Sequence, residues 1–207
     1  MMEAFREAPL HPRSMRDPDV RERRRAMLRL AHIAPLTDFA ASLRRPSVEV
    51  PDFDPLDGGM DASMLFLFEK PGPMTAVGGK RVGSGFISRD NDDPTAEATF
   101  NFMNQAGIPR RRTVSWNVVP WWNGERKITT SELREGAECV RELIALLPKL
   151  RVVVLVGKKA ARARPHLETK SLSLFTSAHP SPLVRASLPD RWKAIPLEWA
   201  SAARFAD

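Results

Sequence analysis

Two polar side chains, Asn117 and His179, occur where a rigid or apolar segment would hold them in place. His179 begins the sequence His-Pro-Ser-Pro-Leu, in which two prolines restrict the backbone and fix the imidazole. Histidine transfers protons or stabilises an anion near neutral pH. Asn117 lies in an apolar stretch, and its amide offers both donors and an acceptor, which suits the edge of a nucleobase. The alternatives are a structural histidine and an asparagine that holds a neighbouring loop.

The segment 68–73, Phe-Glu-Lys-Pro-Gly-Pro, brings an acid and a base together where an apolar run stops. Glu69 and Lys70 are either functional or part of a solvated turn. A second loop, 78–85, contains four glycines, which let the backbone approach a phosphate or a base closely. It matches neither the Walker A nor the GxGxxG pattern. Phe86, which follows directly, either lines a pocket or anchors the loop in the core.

Strands and helices alternate along the chain, and they determine where these residues lie. We predict strands over 63–68, 113–119, 151–156 and 171–177, and helices over 94–106, 131–147 with Ser131 as N-cap, 158–164 and 189–205. This order predicts an α/β protein, a three-layer α/β/α fold with a four-stranded parallel sheet. Ligands bind beyond the carboxyl ends of such strands, which selects the segments 69–73, 78–93, 117–122 and 179–183.

The first sixty residues have a different character. Residues 1–18 are rich in proline and arginine without a period, which indicates a flexible arm. Residues 19–45 have helical spacing that Pro35 interrupts, and residues 47–59 are a loop rich in proline and aspartate. We therefore divide the chain into an N-terminal arm and helix, 1–60, and an α/β domain, 61–207.

Composition narrows the classes of protein. The chain has 207 residues, a net charge of +7 and a pI of about 10.2, which favours polyanionic partners. Its single cysteine, Cys139, excludes an internal disulfide, a zinc site built from cysteines and a four-cysteine iron–sulfur cluster. The histidines show no metal-binding spacing, so we expect no metal and no cofactor. No apolar run is long enough to span a membrane, and we expect a cytoplasmic monomer.

Five short motifs follow one another between about residues 64 and 183. They are Phe-Glu-Lys-Pro-Gly, Gly-Phe, Asn-Val-Val-Pro, Leu-Val-Gly-Lys-Lys-Ala and His-Pro-Ser-Pro-Leu. In this order they resemble the motifs of the uracil-DNA glycosylase superfamily, and the last is the most specific. The resemblance covers more than half of the chain and implies a four-stranded parallel sheet between helices.

The resemblance implies a role for each motif in the removal of uracil from DNA. The segment 69–73 positions or activates the attacking water, and its Lys70, Pro71 and Gly72 lie beside the substrate. Phe86 stacks on the flipped uracil, and Asn117 reads the edge of the base. His179 supports the negative charge that develops on the uracil O2 as the glycosidic bond breaks.

The resemblance also implies a DNA-binding segment directly after His179. Leu183 fills the gap that the flipped nucleotide leaves in the duplex. We expect Ser181, Pro182 and Arg185 to contact the DNA around it. A basic helix within residues 1–60 either binds DNA as well or packs on the sheet.

Two positions depart from the family's pattern. Lys70 stands where the best-known branch has an aspartate, and a lysine cannot act as that carboxylate base. Glu69 and Asp90 are therefore the candidate catalytic carboxylates. Gly72 stands where the same branch has a tyrosine that excludes thymine, and the chain has no tyrosine. With one cysteine, the chain is a divergent member without an iron–sulfur cluster.

Three functions are compatible with these features. The leading one is a glycosylase that hydrolyses the N-glycosidic bond of uracil in single- or double-stranded DNA and leaves an abasic site. The second is a weakly catalytic protein that binds abasic or damaged DNA, in which Lys70 forms a Schiff base with the abasic aldehyde. The third is a nucleotide hydrolase on the same fold, which needs neither Leu183 nor a basic arm.

Overall fold

Four parallel strands form the central sheet of the computed structural model, which describes residues 11–46, 48–72, 75, 82–168 and 171–206. They are β2 (Met64–Phe68), β4 (Thr113–Asn117), β5 (Val152–Val156) and β6 (Ser173–Ser177). The described residues also contain two strands outside this sheet, β1 (Asp52–Phe53) and β3 (Phe86–Ile87). The order across the sheet is β4-β2-β5-β6, and all three pairings are parallel. The registers bring the carboxyl ends of neighbouring strands to one edge, where Phe68 pairs with Asn117. The predicted four-stranded parallel sheet is confirmed.

Helices cover both faces of this sheet. They are α1 (Pro18–Ala26), α2 (Ala34–Ser42), α3 (Pro94–Gln105), α4 (Thr130–Ala145), α5 (Lys158–Ala161), α6 (Arg164–Leu167), α7 (Pro182–Ser187) and α8 (Pro189–Ala203). Successive side chains of β2 point to opposite faces. Phe66 packs in one cluster with Met103 of α3 and Trp199 of α8, whereas Leu65 belongs to a second cluster that contains Leu143 of α4. The three-layer α/β/α architecture is therefore also confirmed.

Side-chain caps fix the start of α1, α3, α4 and α7. Asp93 caps α3 by accepting hydrogen bonds from the backbone N–H groups of Thr95 and Ala96. Thr129 caps α4 in a capping box with Glu132, so the prediction that Ser131 is the N-cap was wrong by two residues. The helical segment predicted over 19–45 consists of two helices, and α2 begins one residue before Pro35.

Several short elements were not predicted, among them β1, β3 and α7. β1 lies in the segment 47–59 that was expected to be loop, and it pairs in parallel with β3 to form a separate two-stranded sheet. α7 follows the Pro-Ser-Pro segment and leads into α8. Of the segments discussed above, residues 1–10, Pro73 and the first part of the glycine-rich loop, 78–81, lie outside the described residues. In the part of the chain that the structure describes, no helix is long and apolar enough to cross a membrane.

Candidate active site

A cavity of about 490 Å³ opens where β2 and β4 end, beside the segment that follows β6. The loop after β3 and the first turns of α3 form much of the rest of the cavity wall, as far as the structure describes it. The volume is ordinary for a site that holds a small molecule. Its position is the one that the rule for parallel α/β sheets gives, beyond the carboxyl ends of the strands.

Most of the residues predicted to contact the substrate line this cavity. They are Glu69, Lys70, Pro71, Gly72, Asn117 and His179, together with Pro182 of the DNA-binding set. The described lining does not include Phe86, Asp90, Ser181, Leu183 or Arg185.

Asn117 ends β4 on the floor of the cavity and is only 4% exposed. Its side-chain oxygen Oδ1 is buried and accepts no hydrogen bond from any described residue. A buried amide oxygen without a donor costs about 1–3 kcal/mol. An asparagine that held a neighbouring loop would have used this oxygen, so the arrangement favours a residue that waits for a donor from a ligand.

His179 faces the same cavity and is held against the sheet. The ring of Phe68 lies edge-on to the imidazole, with 6.0 Å between the ring centroids. On another side Gly157 approaches so closely that an added Cβ would lie 3.0 Å from the His179 Cβ. Burial lowers the pKa of His179, and the charge of Lys159 adds to this effect, while Glu69 opposes it. The imidazole is therefore neutral at neutral pH and can donate a hydrogen bond without carrying a charge.

The first motif, Phe-Glu-Lys-Pro-Gly, contains two charged side chains that differ in their partners and in their exposure to solvent. Glu69 forms an ion pair with Lys159, with 3.1 Å between Oε1 and Nζ, at a partly exposed position. Lys70 is buried, and its Nζ donates to Glu132 Oε1 at 2.7 Å and to Asn123 Oδ1 at 2.8 Å. Lys70 therefore ties the first motif to the start of α4, and its ammonium is not free to attack an abasic aldehyde.

The lowered pKa of Glu132 supports a structural role for Lys70. Burial disfavours the ionised form of Glu132, but hydrogen bonds from Lys70 and Thr129 outweigh it and lower the pKa to about 2. The carboxylate thus stays ionised over the physiological range and keeps the ammonium of Lys70 in place.

Asp90, which the sequence offered as a catalytic carboxylate, lies in a buried ion-pair cluster and not in the described lining of the cavity, and this position disfavours that role. Its side chain is 0% exposed, and its carboxylate binds the guanidinium groups of Arg24 and Arg110 at 2.8 Å each. Two guanidinium groups thus already occupy this carboxylate.

Phe86 is also displaced from its expected position. Phe86 pairs with Asp52 of β1, is among the lining residues of a neighbouring cavity of about 340 Å³, and is 1% exposed. The phenylalanine that borders the larger cavity is Phe68, at the end of β2. Phe86 therefore does not stack on a base bound beside Asn117 in this structure.

The loop after β3 and strand β4 add polar side chains to the cavity that the sequence analysis did not select as individual residues. Asn91 and Ser115 line the cavity, and the Asn91 Oδ1 and Ser115 Oγ atoms are buried without a hydrogen-bond partner among the described residues. Asp93 lines it as well, next to the proline that opens α3. The sequence signal for Asp93 was present, because an aspartate directly before a helix-opening proline is a typical N-cap.

The segment predicted to contact DNA forms α7 at the rim of the cavity. Leu183 is 76% exposed, which is unusual for a large apolar side chain. The Ser181 hydroxyl caps α7 by accepting from the N–H of Val184, and the Arg185 guanidinium lies 5.1 Å from the ring centroid of Trp192. The structure thus presents Leu183 to solvent beside the site.

The match to a known protein family agrees with the fold. A family model described as the uracil DNA glycosylase superfamily matches residues 64–200, well over half of the chain. The chain therefore belongs to the uracil DNA glycosylase superfamily. A search of curated proteins returns no match. Membership supports a glycosylase-type role in DNA repair, with DNA as the substrate.

Proposed function

We propose that this protein excises uracil from DNA by hydrolysing its N-glycosidic bond, which leaves an abasic site. The observation that carries the proposal is the unpaired, buried Oδ1 of Asn117 in the same cavity as a neutral His179. Both groups lie beyond the carboxyl ends of the strands, and both suit an uncharged base.

Uracil presents a donor at N3 and acceptors at O4 and O2. The Asn117 Oδ1 accepts from N3–H, and the amide nitrogen of the same side chain donates to O4. His179 donates to O2, where negative charge develops as the bond to the sugar breaks. A donor aimed at a developing charge stabilises the transition state more than the ground state, and this difference accelerates the reaction.

The base has to leave the duplex to reach these groups, at a cost of a few kcal/mol. Leu183, exposed on α7 at the cavity rim, fills the gap that the base leaves. The net charge of +7 favours contact with the phosphates on either side.

The test is the single-turnover rate of uracil excision by the Asn117→Ala variant. We expect a loss of about 100-fold or more, which is typical for the removal of one transition-state hydrogen-bond donor or acceptor. Since Asn117 Oδ1 has no hydrogen-bond partner among the residues that the structure describes, we expect no large fall in the melting temperature. Asn101→Ala, at an exposed position of α3, is the matched control and should keep full activity.

A structural role for Asn117 predicts the opposite combination. In that case the Asn117→Ala variant would unfold at a lower temperature but excise uracil at a nearly normal rate once folded. This result would overturn the assigned role.

A further inference from the structure

Hydrolysis requires a group that accepts a proton from the attacking water, and Lys70 cannot do so as an ammonium ion. The following inference rests on the proposed function. Among the described residues that line the cavity, two carry carboxylates, Glu69 and Asp93. The question is which of them is able to act as the base.

Glu69 is a poor choice because its charge is already paired. Its Oε1 lies 3.1 Å from the Nζ of Lys159, and both side chains are partly open to solvent. Deprotonation of a water by this carboxylate would compete with the ion pair and with bulk water.

Asp93 is held in a fixed orientation by its own helix. Its Oδ1 accepts from the backbone N–H groups of Thr95 and Ala96, both at 2.9 Å. Both of these cap hydrogen bonds use Oδ1, and Asp93 lines the same cavity as His179.

We propose that Asp93 is the catalytic carboxylate, and that its Oδ2 accepts the proton of the water that attacks C1′ of the sugar. The water oxygen bonds to C1′ while the C1′–N1 bond breaks, and the bonding electron pair leaves with the uracil as its anion. Asp93 then returns the proton to solvent, and the uracil anion is protonated on release. The sum is hydrolysis, with no reactant besides water.

The electrostatic setting supports this assignment. Burial raises the pKa of Asp93, against the effect of its two cap hydrogen bonds and of Arg13. A carboxylate with a raised pKa is a stronger base and is better matched to work near neutral pH. Six other titratable or charged side chains lie on the elements around Asp93: its own segment, the N-terminal segment and the cavity walls. They are Asp92, Arg13, Glu69, His179, Arg89 and Arg126.

The Asp93→Asn variant tests the assignment, because asparagine caps a helix as well as aspartate but cannot accept the proton. We expect the single-turnover rate of uracil excision to fall about 100-fold or more. Asp17→Asn is the matched control, since Asp17 caps α1 through a hydrogen bond from the N–H of Asp19. The single-turnover rate of uracil excision should fall less in the Glu69→Gln variant than in the Asp93→Asn variant.

Three further measurements separate a catalytic role from a structural one. The wild-type rate should fall as the pH drops through the raised pKa of Asp93, and this acidic limb should be absent in Asp93→Asn. The variant should still bind uracil-containing DNA. If Asp93→Asn proves unstable, Asp93→Ser retains a cap residue and should show the same loss of rate at an unchanged melting temperature.

The outcomes are distinct. A folded Asp93→Asn or Asp93→Ser variant with a rate within a few-fold of wild type, or a larger loss in Glu69→Gln, overturns the assignment to Asp93. A wild-type protein that excises no uracil overturns the proposed function instead.

Discussion

At the scale of single residues, the site contains Asn117 and His179, which the sequence analysis identified, and Asp93, which it did not. Asn117 was selected because an amide in an apolar strand must find hydrogen-bond partners, and His179 because two prolines hold it rigidly at the end of a strand. Asp90, four residues after Phe86, was selected as a carboxylate near the predicted site, and the structure places it outside the described lining of the cavity. Only the tertiary structure reveals that Arg24 and Arg110 occupy its carboxylate.

The protonation state of His179 is a prediction at this scale. Burial lowers its pKa below the ordinary 6.5, so the neutral imidazole should be the major form above pH 6.5. Titration of its ring resonances by NMR measures this directly. A midpoint at or above 6.5 would mean that the site uses a charged imidazole.

The close approach of Gly157 to His179 gives a second prediction. The Gly157→Ala variant places a Cβ 3.0 Å from the His179 Cβ at a φ of +92°, so both the backbone and the histidine must shift. We expect a loss of about 1–3 kcal/mol in the free energy of unfolding and of about 100-fold in excision rate.

Gly107→Ala is the matched control for this variant. Gly107 has a φ of +65°, but an added Cβ there meets nothing within 4 Å. The Gly107→Ala variant should therefore have a lower free energy of unfolding but an unchanged excision rate. Equal rates for the two variants would show that Gly157 does not position His179.

At the scale of elements, the strands of the main sheet could be predicted because they are continuous apolar runs. β2 and β5 are almost entirely buried, as their sequences Met-Leu-Phe-Leu-Phe and Val-Val-Val-Leu-Val indicate. The pair β1 and β3 could not be predicted, since each strand has two residues and their pairing joins segments more than thirty residues apart. That pairing also explains why Phe86 is drawn away from the main cavity.

The contact between Lys70 and Glu132 links the first motif to α4, and its strength depends on pH. The pKa of Glu132 is lowered to about 2 from an ordinary 4.5, so this contact stabilises the fold fully above pH 4.5 and is lost as the pH falls towards 2. The Glu132→Gln variant should lose about 2 kcal/mol at neutral pH.

The measurement is urea unfolding of wild type and Glu132→Gln between pH 7 and pH 3. The difference in unfolding free energy between the two proteins should shrink as the pH falls. A constant difference would show that the loss comes from the capping box with Thr129 and not from the charge of Lys70.

At the scale of the whole molecule, a buried cluster of charges joins the N-terminal segment to the wall of the site. It contains three arginines and three aspartates, so its formal charges balance: Arg24, Arg89, Arg110, Asp54, Asp57 and Asp90. Burial disfavours ionisation of Asp54, but Arg110 and Arg24 outweigh it and lower its pKa to about 2. One member of the cluster, Arg89, lines the cavity itself.

Arg24 is the member of this cluster that comes from α1, ahead of the segment that matches the superfamily. Its replacement leaves buried carboxylates without their partner, so Arg24→Met should cost about 3–5 kcal/mol in the free energy of unfolding. Arg23→Met, at an exposed position of the same helix, should change it by less than about 0.5 kcal/mol. Urea unfolding of the two variants compares them, and equal stability would show that α1 does not stabilise the fold through this cluster.

The most direct test of the central claim is incubation of the wild-type protein with an oligonucleotide that carries one uracil, followed by cleavage at abasic sites. We predict a single product cut at the uracil, and no product from the same oligonucleotide with cytosine in its place. Tight binding to the uracil-containing DNA without any cleavable product would contradict the claim that Asn117, His179 and Asp93 form a hydrolytic site.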